Sequence, residues 1–255
     1  MWHLPEVWTA ALIIAVALAV VLYGFSKTAM PVTGVLAGSI LAAALTPAVA
    51  SGFVVPLLLV GDVIALALYR QHADWLLIRR LIPGVLAGFV ITVLLFRFVD
   101  SSTLGRILGV LILISVVLEV WRMRAEIGSS AEHPEMENKL AIAFFGTLAG
   151  MTTMGANAGG AAMTLYLVKM RVSMLAFMGT ATWFFAILNL IKVPFVVGLG
   201  LLNWHTMLTS LWFLPALFIG AGVGVVTFRR LNPATFVNIA LGLSALAAVW
   251  LIVMG

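Results

Sequence analysis

Ten apolar runs follow one another along the chain, at about 8–25, 31–46, 48–69, 79–98, 104–121, 139–154, 157–169, 174–199, 206–228 and 234–254, each broken by Gly, Pro or charge. A helix needs about 20 apolar residues, in a range of roughly 17–25, to cross a bilayer's hydrocarbon. Most of the runs reach that length; 31–46, 139–154 and 157–169 fall short. Short, Gly- or Pro-interrupted segments at matching places in two halves are the expected mark of broken helices lining a transport site. The pattern predicts an all-α, polytopic membrane protein.

Composition agrees. Hydrophobic types make up 64% of the 255 residues and charged types 9%, against about 45–50% and about 25% in soluble domains. No soluble fold of this size could hide that much apolar surface, but lipid can solvate it. The absence of Cys removes disulfide frameworks and thiolate sites. The net charge of +5 comes from basic residues in short loops, so it does not point to nucleic acid. Met1 to Trp8 has no basic n-region and contains Glu6, so the first run is expected to remain as a membrane segment.

The one long polar stretch, 122–138, reads as a solvated linker between a first repeat, 1–121, and a second, 139–255. Leu81 to Gly88 aligns with Phe213 to Gly220, and the same offset puts Phe96-Arg97 on Phe228-Arg229, Asp100 on Asn232 and Thr103 on Thr235. Trp75 falls on Trp204, Gly24 to Lys27 on Gly150 to Thr153, and Gly34 on Gly160. Matches in one order argue for duplication. Five runs per half make the second repeat inverted relative to the first, each opened by a broken or re-entrant helical hairpin and followed by three transmembrane helices. On that topology Arg70, Arg79, Arg80, Arg122, Arg124, Lys139, Lys169, Arg171, Arg229 and Arg230 share one side, and only Arg97 and Arg106 lie on the other. By the positive-inside rule the richer side, with 122–138, is cytoplasmic, and both termini are periplasmic.

Ionisable groups at membrane depth are functional candidates by default. Lys27 ends the first run between Ser26 and Thr28, and Pro31 opens the next. A chain break there frees backbone N–H groups and turns a helix's positive end inward, which suits an anion; the alternative is a Lys that snorkels to the interface. The matching element holds Thr152, Thr153, Gly155 and Asn157. It offers neutral donors, a close backbone approach and an N-cap, or simply a Gly155-xxx-Gly159 packing face. Asp62 lies inside the third run, and Asn189 and Lys192 at similar depth in the eighth. A buried charge needs a partner or a change of protonation state. Asp62 is therefore expected to neutralise Lys27 or Lys192, as a structural pair or as carrier of a coupled proton. His3, His72, His133 and His205 lack metal-ligand spacing, and the Trp residues near run ends read as interfacial anchors. No catalytic residue, metal or cofactor is expected, and enzyme and nucleotide-binding motifs are absent.

Gly24 to Thr28, Pro56 with Gly61-Asp62, Pro83 to Gly88, the acidic central loop, Gly150 to Gly160, Gly179-Thr180, Asn189 with Lys192, and Pro215 to Gly220 together resemble the sulfite exporter TauE/SafE family, also called the four-toluene-sulfonate uptake permeases, over almost the whole chain. The resemblance implies a secondary transporter in the bacterial inner membrane that moves sulfite, sulfonates or related organic anions, often outward. Its Ser26-Lys27-Thr28 departs from the Gly-rich first element of many members. Ser26, Lys27, Thr28, Thr152, Thr153, Gly155 and Asn157 are then the expected substrate contacts, and Asp62, Asn189 and Lys192 the coupling or gating groups. The hairpins are expected to meet near mid-membrane, with proton coupling and the halves rocking about the site. An anion-selective channel is the alternative. Expected partners are the anionic substrate and lipid, with a homodimer as one oligomeric state. Lys27→Ala is expected to abolish anion binding with folding intact.

Overall fold

The computed structural model describes residues 4–5, 7–45, 47–95, 98, 101–125, 139–156, 159–198 and 200–254. Eleven α-helices, and no strand, occur among them: α1 (Ala10–Thr28), α2 (Thr33–Leu45), α3 (Pro47–Tyr69), α4 (Trp75–Leu95), α5 (Ser101–Ala125), α6 (Lys139–Ala156), α7 (Gly159–Lys169), α8 (Met174–Gly198), α9 (Trp204–Leu211), α10 (Leu214–Arg230) and α11 (Pro233–Met254). A 3-10 turn, Arg70–His72, follows α3. Five helical spans are long and apolar enough to cross a membrane, and α9 with α10 makes a sixth if counted as one bent span. Thr33–Leu45 is a shorter apolar helix, as are the apolar stretches Gly109–Trp121 and Lys139–Thr153. The chain is a multi-pass membrane protein. Phe98, Trp121, Trp204 and Trp212 are exposed, as are Leu86, Val90 and Ile219, which is the outward face lipid requires.

Several helix starts are fixed by short polar side chains that satisfy first-turn N–H groups. Thr9 accepts from Leu12 N at 3.3 Å and Asn203 from Thr206 N at 2.9 Å. Asn232 accepts from Thr235 N at 2.8 Å. Asp74 accepts from Leu76 N and Leu77 N at 2.9 and 3.2 Å. That cap draws the start of α4 back to Trp75, one turn before the predicted run at 79–98. The run at 206–228 is two helices bent by 50° at Trp212–Phe213. Pro215, in the first turn of α10, has no N–H to continue the ladder from α9. α5 continues to Ala125, past the limit at 121 expected for the first repeat. Residues 126–138, Phe96-Arg97 and Asp100 of the predicted linker and repeat alignment lie outside the described residues.

The chain forms two compact units, neither of them a continuous half: Met1–Ala73 with Met178–Leu231, and Asp74–Phe177 with Asn232–Gly255. In the first unit α1 packs along α10, with α2 and α3 beside it. Trp8, Phe53 and Phe213 form an aromatic cluster there, with ring centroids 5.7–6.3 Å apart. In the second unit α4 packs along α6, α11 along α5, and α7 against α6 and α11.

The α1–α10 and α4–α6 contacts are built alike. A Cβ on Gly24 would run into the Leu217 carbonyl, and one on Gly150 into the Val85 carbonyl. A Cβ on Gly220 would meet the Val21 carbonyl, and one on Gly88 the Thr147 carbonyl. Aligning the halves puts Gly24 on Gly150, Val85 on Leu217 and Gly88 on Gly220, and the same register puts Val21 on Thr147. Each interface is thus a small-residue crossing in which backbone touches backbone, as membrane helices use where no hydrophobic drive separates helix from lipid.

Candidate functional site

The break at the end of α1 is tightly held. Ala29 N donates to Phe25 O at 2.9 Å and closes the last turn. Thr33 rather than Pro31 opens α2, and its hydroxyl donates to Met30 O at 2.8 Å. The Ser26 hydroxyl donates to Tyr23 O at 2.8 Å. The Thr28 hydroxyl reaches Ala221 O of α10 at 2.8 Å and Gly24 O at 3.3 Å. The Tyr69 hydroxyl donates to Thr28 O at 2.7 Å, and its ring packs edge-on against Phe228, centroids 5.4 Å apart. Ser26 and Thr28 therefore hold the helix end in this conformation, their protons already given to carbonyls. Tyr69→Phe removes a buried donor to Thr28 O and is expected to lower stability by about 1 kcal/mol, read as a fall in the melting temperature of the detergent-solubilised protein.

Lys27 turns toward α3. Its ammonium forms an ion pair with Asp62 Oδ1, with the Lys side chain 10% and the Asp side chain 4% exposed. The other carboxylate oxygen, Oδ2, accepts from Asn189 Nδ2 of α8 at 2.6 Å. The ammonium also lies 5.7 Å from the Phe185 ring centroid, within reach of a cation–π attraction. The preceding glycine makes room for the Lys stem: a Cβ on Gly61 would stand 3.0 Å from Lys27 Cγ. The sequence left Asp62 two possible cations, and the fold pairs it with Lys27. Lys192 follows Asn189 on the same helix, three residues on, and is half-buried.

In the second unit, Thr152 and Thr153 differ in how their hydroxyls are satisfied. The Thr152 hydroxyl donates back to Leu148 O at 2.7 Å. Thr153 Oγ1, at the position aligned with Lys27, is buried with no hydrogen-bond partner among the described residues, as are Thr164 Oγ1 and Tyr166 OH of α7. Gly155 lies in the last turn of α6, and Asn157 lies outside the described residues. One buried acid escaped the sequence reading. Glu119 of α5 is 6% exposed; it stands near the end of an apolar run, three residues before Arg122. Among the described residues no three His, Asp or Glu gather as a metal-binding group.

The chemistry of this arrangement is a cation and a carboxylate shut away together, with an amide on the second oxygen. Buried charges of this kind in membrane chains mark solute and ion paths. The family model of the sulfite exporter TauE/SafE matches residues 9–251. The chain belongs to the sulfite exporter TauE/SafE family. No curated protein and no solved structure matches it. Membership covers α1 through nearly all of α11, so both units and the Lys27–Asp62–Asn189 group lie inside the family's span.

Proposed function

We propose that this TauE/SafE protein is a secondary carrier that exports small sulfur-containing or organic anions, such as sulfite or sulfonates, across the bacterial inner membrane, coupled to protons. The observation that carries the reading is the buried Lys27 at the α1 break, paired with Asp62 of α3, whose other oxygen is held by Asn189 of α8 in the same unit. A cation held in so dry a place recognises a negative solute, and its engagement by a carboxylate supplies a group able to answer that solute's arrival.

The halves act as inverted repeats in this reading. The parity of runs, the ten-to-two division of basic residues and the matched glycine crossings support it. The same topology puts the termini in the periplasm and 122–138 in the cytoplasm.

Counterflow tests the carrier. In proteoliposomes, unlabelled sulfite inside is expected to speed entry of labelled sulfite severalfold, because a carrier returns faster loaded than empty. Flux indifferent to the trans solute would replace the carrier with an anion-selective channel.

A further inference from the structure

Asp62 is the only acidic side chain in α1, α2, α3, α8, α9 and α10. Its cationic neighbour is Lys27 on α1. On α8 it meets the Asn189 amide, with Lys192 on the same face about one turn further on. The ionisable residues of the other elements packed on α3 are Arg70 and His72 in the turn after it, His205 on α9, and Arg229 and Arg230 in the last turn of α10; α2 has none. The Lys27–Asp62 pair is therefore neutral as a unit, and a neutral pair has little attraction for an anion. An anion that takes Lys27 away leaves a buried carboxylate without its cation, a strongly disfavoured state. A proton removes that cost.

We infer that an anion reaches Lys27 only together with a proton on Asp62, so that the two bind the site and cross the membrane together; this rests on the anion-carrier reading above. The geometry says where the proton goes. Lys27 engages Oδ1 alone, while Oδ2 keeps the Asn189 bond. The oxygen vacated by Lys27 takes the proton and can donate it toward the incoming anion as a hydrogen bond. Charge balances: the closed pair and the pair loaded with one monovalent anion and one proton are both neutral, so no net charge is buried at either stage. Outward movement then runs on the anion's own outward gradient and is opposed by an inward proton gradient, which by itself would drive uptake.

The probe is methanesulfonate, a strong-acid anion whose charge does not change over the range tested. Calorimetry of the full-length protein in detergent, repeated in buffers of different ionisation enthalpy, counts protons taken up per anion bound. For the natural sequence, uptake approaching one proton is expected, with affinity rising toward about tenfold for each unit of falling pH, the limit for a single linked proton. Asp62→Asn should bind the anion with no proton uptake and no pH slope. Zero uptake by the natural sequence would overturn the inference, because Asp62 would then have passed to another cation such as Lys192. A slope retained in Asp62→Asn would also overturn it, by moving the proton elsewhere. If Asp62→Asn does not fold, the proton count on the natural sequence decides. If neither methanesulfonate nor sulfite binds at any pH, the anion-carrier reading itself falls, and the inference with it.

Discussion

Lys27→Ala is expected to lose anion transport and also to melt well below the natural sequence, by the equivalent of about 3–5 kcal/mol. The first effect follows from removing the cation; the second from what is left behind. Asp62 is 4% exposed and its Oδ1 has Lys27 as partner, so truncating the Lys strands a carboxylate where water cannot reach it. The structure thus changes the expectation, drawn from the sequence, that this variant would fold undisturbed. A second substitution separates the two effects. Lys27→Ala combined with Asp62→Asn removes the stranded charge and is expected to recover most of the lost stability while transport stays absent. Thermal unfolding in detergent, beside sulfite counterflow, reads both quantities. A double variant that transports normally would show that Lys27 serves the fold and not the solute.

Gly220→Val and Gly88→Val are expected to be about equally damaging, each costing at least the roughly 1–3 kcal/mol of an overpacked core. Both glycines sit where a Cβ would strike a carbonyl of the neighbouring helix, Val21 for Gly220 and Thr147 for Gly88. Backbone cannot rotate away as a side chain can, so the helices must separate along the crossing. Gly222 is the internal control. It lies on the same helix as Gly220, with nothing within 4 Å of its would-be Cβ. Gly222→Ala should be neutral or stabilising by up to about 1 kcal/mol, since Gly is entropically costly inside a helix. Equal losses at Gly220 and Gly88, with none at Gly222, measured as melting temperatures, would support equivalent structural roles for the two crossings. A harmless Gly88→Val would break the correspondence between them.

Much of this was legible along the chain because membrane helices are written in long stretches of one character. The ends of α3 and α8 fall within about a residue of the predicted runs, since Pro47, Ser173 and Gly198 bound them. The bend between α9 and α10 was not legible. Trp212, Phe213 and Leu214 are as apolar as their neighbours, and periodicity cannot see a break that Pro215 makes in the hydrogen-bond ladder. Glu119 was passed over because a linear pattern places it by its neighbours in sequence, whereas its burial is set by helices packed around α5.

The sequence by itself determined that the chain must live in lipid, which segments are helical, and that Lys27, Asp62 and Asn189 are polar groups in apolar surroundings. Those follow from local composition, because transferring apolar area and isolated charges between water and hydrocarbon dominates every other term at that scale. Which partners those groups take was decided only by the tertiary structure. Lys27 and Asp62 are far apart in the chain, and Asn189 is farther still. Only the packing of α1 against α3, with the Asn189 amide of α8 reaching Asp62 and Gly61 yielding space to the Lys stem, selected one closed pair from several that charge alone allowed.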